Sequence, residues 1–146
     1  MNTRLILGAA MLSLTPLAAT AGDPAAGESA FRQCQTCHYV QNDAGDVLAG
    51  RVNQQGPNLY RISGRQAGIA DFRYGASLVE AGEKGLVWDE ESFVAYLANP
   101  NDFLRTFLND RRARGSMSFQ LRDANAARNI YAYIATFGVT EAPATN

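Results

Sequence analysis

The sequence predicts an all-α domain in which long loops connect the helices. Signals for helix starts and stops recur along the chain, whereas no segment alternates convincingly between apolar and polar residues as a strand would. A long segment over 39–75 is instead interrupted by turn-forming residues, which are Gly45, Gly50, Gly56, Pro57, Gly64, Gly68 and Gly75. Because such a segment packs few side chains of its own, we expect it to wrap around a bound group that completes the core.

The first and third predicted helices have clear start signals. Asp23 followed by Pro24 is typical of an N-cap and a first helical position. A short helix is predicted over 76–81. A stronger helix begins after Asp89 and ends near Ala98, because the Asn99-Pro100 step cannot continue it.

Two further helices are predicted in the last third of the chain. One or two turns lie over 102–108. The final helix is capped by Asp123 and ends at Gly138. Its apolar stripe has spacings of three and four residues and consists of Ala127, Ile130, Ile134 and Phe137.

The composition fits one globular domain. The 146 residues are 47% hydrophobic and 18% charged, and 13 basic groups nearly balance 14 acidic groups. This balance argues against nucleic acid as a partner, since binding to phosphates requires a basic surface. The rare residues are more informative, because the chain has two cysteines, one histidine and a single lysine, Lys84.

The N-terminal segment is typical of a secretory signal. Arg4 gives a positive start, an apolar stretch follows, and residues 19–21 are the small residues that signal peptidase recognises. Pro16 interrupts the stretch, which is shorter than the ~20 residues that a retained membrane anchor needs. We therefore predict a cleaved signal peptide over 1–21, one domain over 22–146, and no stable membrane insertion after processing.

The segment Cys34-Gln35-Thr36-Cys37-His38 predicts covalent attachment of haem. Two thiols one helical turn apart can add to the two vinyl groups of the porphyrin, and the adjacent histidine then lies beneath the iron. A redox disulfide between Cys34 and Cys37 is an alternative, although no βαβ pattern surrounds the motif. Half of a zinc site and chance co-occurrence are the others, and the chain has no further Cys or His to complete a zinc site.

The second axial ligand of the iron follows by elimination. Beyond the predicted signal peptide the chain has no second histidine, and its candidates are the ammonium of Lys84 and the thioether of Met117. A lone methionine is also a common flexible core residue, but Met117 lies in a polar, glycine-bearing stretch between two predicted helices. We therefore predict His38/Met117 ligation, in which the thioether favours the reduced state.

With these residues in place, the chain resembles class I cytochrome c, and most closely the soluble bacterial cytochrome c2 type, over residues 22–138. The matching pieces, in chain order, are Gly27, Phe31, Cys34-Gln35-Thr36-Cys37-His38, Gly56-Pro57-Asn58-Leu59, Gly64-Arg65, Gly68, Tyr74, Trp88, Tyr96-Leu97, Asn99-Pro100, Met117, Ile130 and Tyr133. The resemblance implies the class I cytochrome c fold, with helices and long loops wrapped around one haem c. It also implies that Gly27 and Phe31 pack against Ile130 and Tyr133 where the first and last helices cross.

The resemblance assigns roles to the residues around the haem. It implies that the Pro57 carbonyl accepts a hydrogen bond from His38 and so orients the imidazole. It implies that the buried haem propionates are held by three donors, which are Arg65, Tyr74 and Trp88. It places Tyr96 beside the sulfur of Met117. Each of these aromatic residues would otherwise be interpreted as ordinary core packing.

One departure from the family pattern concerns the surface charge. Relatives surround the exposed haem edge with lysines that dock acidic partners, whereas this chain has almost no lysine. The arginines that flank Met117 in the sequence are Arg105, Arg111, Arg112, Arg114 and Arg122. Arginine keeps the charge and binds carboxylates with a fork of donors, so we expect these residues to replace the lysine ring. A solvated, mixed surface is the alternative.

The function that follows is that of a periplasmic one-electron carrier and not of an enzyme. By the resemblance, a monomer accepts electrons from a membrane quinol:cytochrome c oxidoreductase. It passes them through the haem edge to a terminal oxidase, a photosynthetic reaction centre or a periplasmic reductase. One alternative is a haem peroxidase or gas sensor with a labile Met117 ligand. Another is the dedicated electron acceptor of one periplasmic dehydrogenase.

Overall fold

The computed structural model describes residues 21–140, so the predicted signal peptide over 1–21 lies, apart from Ala21, outside the described residues. No helix within this range is both long enough and apolar enough to cross a bilayer. The helices of this range are α1 (Pro24–Phe31), α2 (Ala76–Glu83), α3 (Glu90–Ala98), α4 (Pro100–Leu108) and α5 (Ala124–Ala135). The strands are β1 (Tyr39–Gln41) and β2 (Val47–Gly50).

The antiparallel hairpin of β1 and β2 corrects the expectation that the chain has no strand. Tyr39 pairs with Gly50, and the register shifts after Val40. The connecting turn is built by Asn42, whose side-chain oxygen accepts hydrogen bonds from backbone amides within the turn. The prediction was wrong because strands of three and four residues are too short to show the alternation on which it relied.

The helices begin where the capping signals predicted, with one exception. Asp23, Asp89 and Asp123 each accept hydrogen bonds from the amides of the first turn of α1, α3 and α5. The exception is α4, which begins at Pro100 and not at residue 102. The side chain of Asn99 caps it, so the residue that ends α3 also starts the next helix.

The first and last helices cross in close contact. A Cβ atom on Gly27 would overlap the backbone carbonyl of Asn129, so only glycine allows this approach of α1 to α5. The rings of Phe31 and Tyr133 pack with their centroids 5.6 Å apart, and Ile130 is fully buried beside them. The first and last helices therefore pack together as the family resemblance implied, and this packing fixes the end of α1 against the core.

The loop after residue 60 is held by backbone pairing to two distant segments. The amide of Gly64 donates to the carbonyl of Trp88 at 2.9 Å, and the amide of Trp88 donates to the carbonyl of Arg65 at 2.9 Å. The amide of Thr140 donates to the carbonyl of Ser63 at 2.7 Å. The backbone of this partly buried loop is therefore hydrogen-bonded to ordered segments.

A methyl group added at Gly27 should disrupt the crossing of α1 and α5. Gly27→Ala forces apart α1 and α5, because the new Cβ has no space, and we expect a loss of about 1–3 kcal/mol in the free energy of unfolding. Denaturant titration of the purified protein measures this loss. Ser29→Ala, at an exposed position of the same helix, is the control and should change stability by less than about 0.5 kcal/mol. Equal losses in the two variants would contradict the close crossing.

Candidate functional site

The two cysteines lie in the turn that follows α1. The amide of Cys34 donates to the carbonyl of Phe31 at 2.8 Å, and the amide of His38 donates to the carbonyl of Cys34 at 2.8 Å. Both thiols are free and partly buried. Burial raises the pKa of Cys34 to about 11, and neighbouring Cys37 adds to the rise. A raised pKa is the opposite of what the attacking thiol of a redox-active dithiol needs, so the environment of Cys34 disfavours the disulfide alternative.

His38 is held in one orientation by Pro57. The Nδ1 atom lies 3.1 Å from the Pro57 carbonyl oxygen. A carbonyl only accepts, so Nδ1 carries the proton and Nε2 keeps its lone pair for a metal. Burial lowers the pKa of His38 against the opposing effect of this hydrogen bond, which favours the neutral imidazole that metals bind.

Gly56 gives the imidazole ring its space. A Cβ atom at this position would lie 2.7 Å from both Cε1 and Nδ1 of His38. The ring and the Gly56 backbone are therefore in direct contact, with no room for a side chain between them. This contact, and the hydrogen bond to the next residue, Pro57, fix the plane and the direction of the imidazole together.

Arg65 is a partly buried cation, and its hydrogen-bond partners among residues 21–140 are neutral. Its guanidinium donates to the carbonyls of Tyr60 and Asn58 at 2.9 and 3.1 Å. Within residues 21–140 it forms no ion pair with a carboxylate. Burial lowers the pKa of Arg65, while Tyr74 acts in the opposite direction. A desolvated guanidinium of this kind fits an anionic group that the protein itself does not supply.

Tyr74 and Trp88 lie close to Arg65, and Tyr96 lies beside both of these aromatic residues. Burial raises the pKa of Tyr74, and the nearby Arg65 charge opposes the rise. Burial also raises the pKa of Tyr96 to about 12, with Tyr74 as the second cause. The rings of Trp88 and Tyr96 meet edge to face at 5.1 Å, and the backbone of Trp88 is paired with Arg65. The structure thus brings together the four residues that the resemblance assigned to the propionates and the Met117 sulfur.

Met117 is partly buried and packs against the hydrophobic core. Its loop is tied to two helices that the sequence did not connect with it. The amide of Gly115 donates to Asn101 Oδ1 at 2.9 Å, and the amide of Arg114 donates to Ser77 Oγ at 3.1 Å. Asn101 and Ser77 were missed because polar residues in a first helical turn normally face solvent, and no local pattern marks a contact with a distant loop.

The Met117 loop also contacts the aromatic group. A Cβ atom on Gly115 would lie 3.4 Å from the Tyr96 hydroxyl, and one on Gly75 would lie 2.6 Å from Ser116 Oγ. Tyr74 precedes Gly75, so the loop that holds Met117 is adjacent to the residues near Arg65. The donor set fits a haem: two thiols, a neutral imidazole, a thioether against the core, and hydrogen-bond donors suited to carboxylates.

Comparison with known proteins supports the same conclusion. No protein-family model matches the chain. It is 54% identical over 121 residues to cytochrome c2 of Rhodovulum adriaticum, covering 82% of this chain and 96% of the relative. It is 46% identical over 135 residues to cytochrome c2 of Cereibacter sphaeroides, covering 91% and 93%.

Solved structures give the same match. The crystal structure of cytochrome c2 from Rhodobacter sphaeroides is 49% identical, with a TM-score of 0.79 over 82% of this chain and 99% of that chain. The fold class predicted from the sequence is therefore confirmed, with the short hairpin as its one addition.

The contact beneath His38 predicts the effect of Gly56→Ala. The added methyl group must displace the imidazole ring, which weakens the hydrogen bond to Pro57, and we expect a loss of about 1–3 kcal/mol in unfolding free energy. Denaturant titration measures the loss, and proton NMR of the ring Nδ1–H reports the displaced histidine. Gln54→Ala, at an exposed position of the same loop, should change neither. An unshifted ring signal in Gly56→Ala would contradict the contact.

Proposed function

This chain belongs to the cytochrome c2 family of class I cytochromes c, and we propose that it is a one-electron carrier and not an enzyme. The observation that supports this most directly is the orientation of His38, whose Nδ1 is bonded to Pro57 while Nε2 keeps its lone pair. Covalent haem c, when bound, supplies the change between ferrous and ferric iron. The protein supplies attachment, orientation and exclusion of water.

We assign attachment to Cys34 and Cys37 and axial ligation to His38 and Met117. The thiols lie in the turn that α1 fixes against the core, so the attachment points are rigid. Pro57 orients the imidazole from behind and increases its strength as a ligand. The Met117 loop is tied to α4 through Asn101 and to α2 through Ser77, which holds the thioether in place. A haem iron bound by both His38 and Met117 would have no open position for a substrate.

We assign the binding of the haem propionates to Arg65, Tyr74 and Trp88. Arg65 has no anionic partner within the described residues, and its desolvation is offset when a carboxylate approaches. Burial raises the pKa of Tyr74, so its hydroxyl keeps the proton that it donates. Tyr96 completes the group between Trp88 and the Met117 loop.

We propose that the carrier works in the periplasm as a monomer. Its donor would be a membrane quinol:cytochrome c oxidoreductase, and its acceptor a terminal oxidase, a reaction centre or a periplasmic reductase. Within residues 21–140, Arg105 and Arg112 pair with nearby aspartates, whereas the other three arginines near Met117 form no ion pair. These three, which are all exposed, are Arg111, Arg114 and Arg122. They are the charges best placed to bind carboxylates of a partner.

The axial ligand is tested by Met117→Ala. The wild-type protein should show the ferric far-red band that reports sulfur ligation, and its reduced form should bind carbon monoxide slowly. The variant should lose the band, acquire a lower midpoint potential and bind carbon monoxide readily, because the sixth position is open. Absorption spectra of the purified protein measure the far-red band directly, the midpoint potential by redox titration, and carbon monoxide binding after addition of the gas.

Phe119→Ala, at an exposed position two residues further on, is the matched control and should behave like wild type. Rapid binding of carbon monoxide by the wild-type protein at neutral pH would overturn the carrier function in favour of a gas sensor. A protein mass equal to that of the bare processed chain would exclude covalent haem.

The docking surface is tested by Arg111→Glu. Reversing one unpaired charge should slow electron transfer to an acidic redox partner by about 3–10-fold at low ionic strength and weaken its salt dependence. Stopped-flow kinetics at several salt concentrations measures this. Arg128→Glu makes the same change in net charge on α5, beside Glu90, and should have a much smaller effect. Equal slowing by both variants would show a general effect of net charge and exclude a local docking site.

A further inference from the structure

The hydroxyl of Tyr131 on α5 joins two segments of the proposed propionate site. It lies 2.7 Å from Ser63 Oγ and 3.1 Å from the carbonyl oxygen of Trp88. The carbonyl only accepts, so the Tyr131 hydroxyl donates to Trp88. Its own oxygen then accepts from the Ser63 hydroxyl, which gives a single consistent direction to both hydrogen bonds.

The two segments that Tyr131 joins are already paired along their backbones. The Trp88 carbonyl accepts from Gly64 as well as from Tyr131, and the Trp88 amide donates to Arg65. Ser63 stands two residues before Arg65. Tyr131 therefore hydrogen-bonds to both of the paired segments, at Ser63 on one and at Trp88 on the other. The same backbone pairing holds Arg65 next to Trp88.

Tyr131 is itself held firmly. Its ring packs against Phe93 of α3 with the centroids 5.4 Å apart. The helix that bears it is fixed by the crossing with α1, where Gly27 contacts Asn129. Burial raises the pKa of Tyr131, with Asp89 and Glu90 adding to the rise and the Ser63 hydrogen bond opposing it, so the phenol stays protonated and able to donate.

We propose that Tyr131 is a positioning residue for the propionate site, and that its hydroxyl aligns Trp88 with Arg65 and thereby sets the midpoint potential of the haem. The inference rests on the proposed function of these two residues. A carboxylate near the iron stabilises the ferric state, and donors directed at that carboxylate reduce this effect. When the two donors are misaligned, the carboxylate charge is less compensated and the potential falls.

The test is the midpoint potential of Tyr131→Phe, measured by spectroelectrochemical titration of the holoprotein. The variant keeps the ring and its packing but loses both hydrogen bonds. We expect the ferrous-to-ferric ratio at a fixed applied potential to fall about threefold to tenfold, which corresponds to roughly 30–60 mV at 59 mV per tenfold change. An unchanged ferric far-red band would show that the Met117 ligand is retained. Ser63→Ala, which removes the other partner of the hydroxyl, should shift the ratio in the same direction by less.

Tyr133→Phe is the matched control. It removes a hydroxyl from the same helix, and this hydroxyl makes no hydrogen bond to any of residues 21–140. Its potential should equal that of the wild type. A similar shift in both phenylalanine variants would overturn the inference, because the effect would then be unrelated to Trp88.

A double-mutant cycle with Trp88→Phe separates the inference from the proposed function. Trp88→Phe alone should shift the potential, and Tyr131→Phe should add little in that background if it acts through Trp88. If Trp88→Phe shifts the potential and Tyr131→Phe does not, the inference fails while the propionate assignment stands. If neither variant shifts it, the propionate assignment fails and the inference with it. A full Tyr131→Phe shift in the Trp88→Phe background would also overturn the proposed route.

Discussion

The close crossing of α1 and α5 at Gly27 is the constraint on which the rest of the molecule depends. On the α1 side, the helix leads directly into the turn that contains Cys34, Cys37 and His38. On the α5 side, the same helix that contacts Gly27 presents Tyr131 to Ser63 and Trp88. One contact between the first and last helices therefore sets the positions of the attachment segment and of the proposed propionate site at once. Because the contact is between backbone atoms, it allows almost no adjustment, and the distance between the two parts of the site is set by the chain and not by flexible side chains.

The same principle of backbone contact applies at His38, the proposed iron ligand. Gly56 and Pro57 restrain His38 in different ways. Gly56 contacts the imidazole ring, and the Pro57 carbonyl accepts a hydrogen bond from Nδ1–H. An imidazole held in this way needs little rearrangement when the charge on the iron changes, which is what rapid electron transfer requires. The Met117 loop is held differently. Its backbone amides donate hydrogen bonds to the side-chain oxygens of Ser77 on α2 and Asn101 on α4. Of the two proposed ligands, His38 is thus fixed by close packing, and Met117 lies on a loop fixed by hydrogen bonds.

Much of the fold was predictable because its signals are local. An aspartate before a helix and a proline after one act within a single turn, so the starts of α1, α3 and α5 and the end of α3 follow from the residues themselves. The end of α5 does not, since the helix stops at Ala135 and not at Gly138. The attachment segment is local too, since its spacing alone predicts its chemistry. The β1–β2 hairpin was missed because its strands are too short for periodicity to register, and the early start of α4 was missed because Asn99 caps one helix while ending another. Asn101, Ser77 and Tyr131 could not be predicted at all, because each acts through a contact with a segment far away in the sequence.

The charged side chains contribute little to the stability of the fold, and those without an ion pair are the ones available to a partner. The ion pairs of the described residues are all exposed, so they contribute little to stability, and the fold depends instead on the helix crossing and the core. Two of the arginines that flank Met117 in the sequence, Arg105 and Arg112, are paired with Asp102 and Asp110. The other three arginines of this set form no ion pair within residues 21–140, so their charge is not neutralised. In the sequence they flank Met117, the proposed axial ligand. The proposed carrier must bind its partner briefly and release it. Unpaired arginines would let charge steer this encounter without a large apolar interface to slow the release.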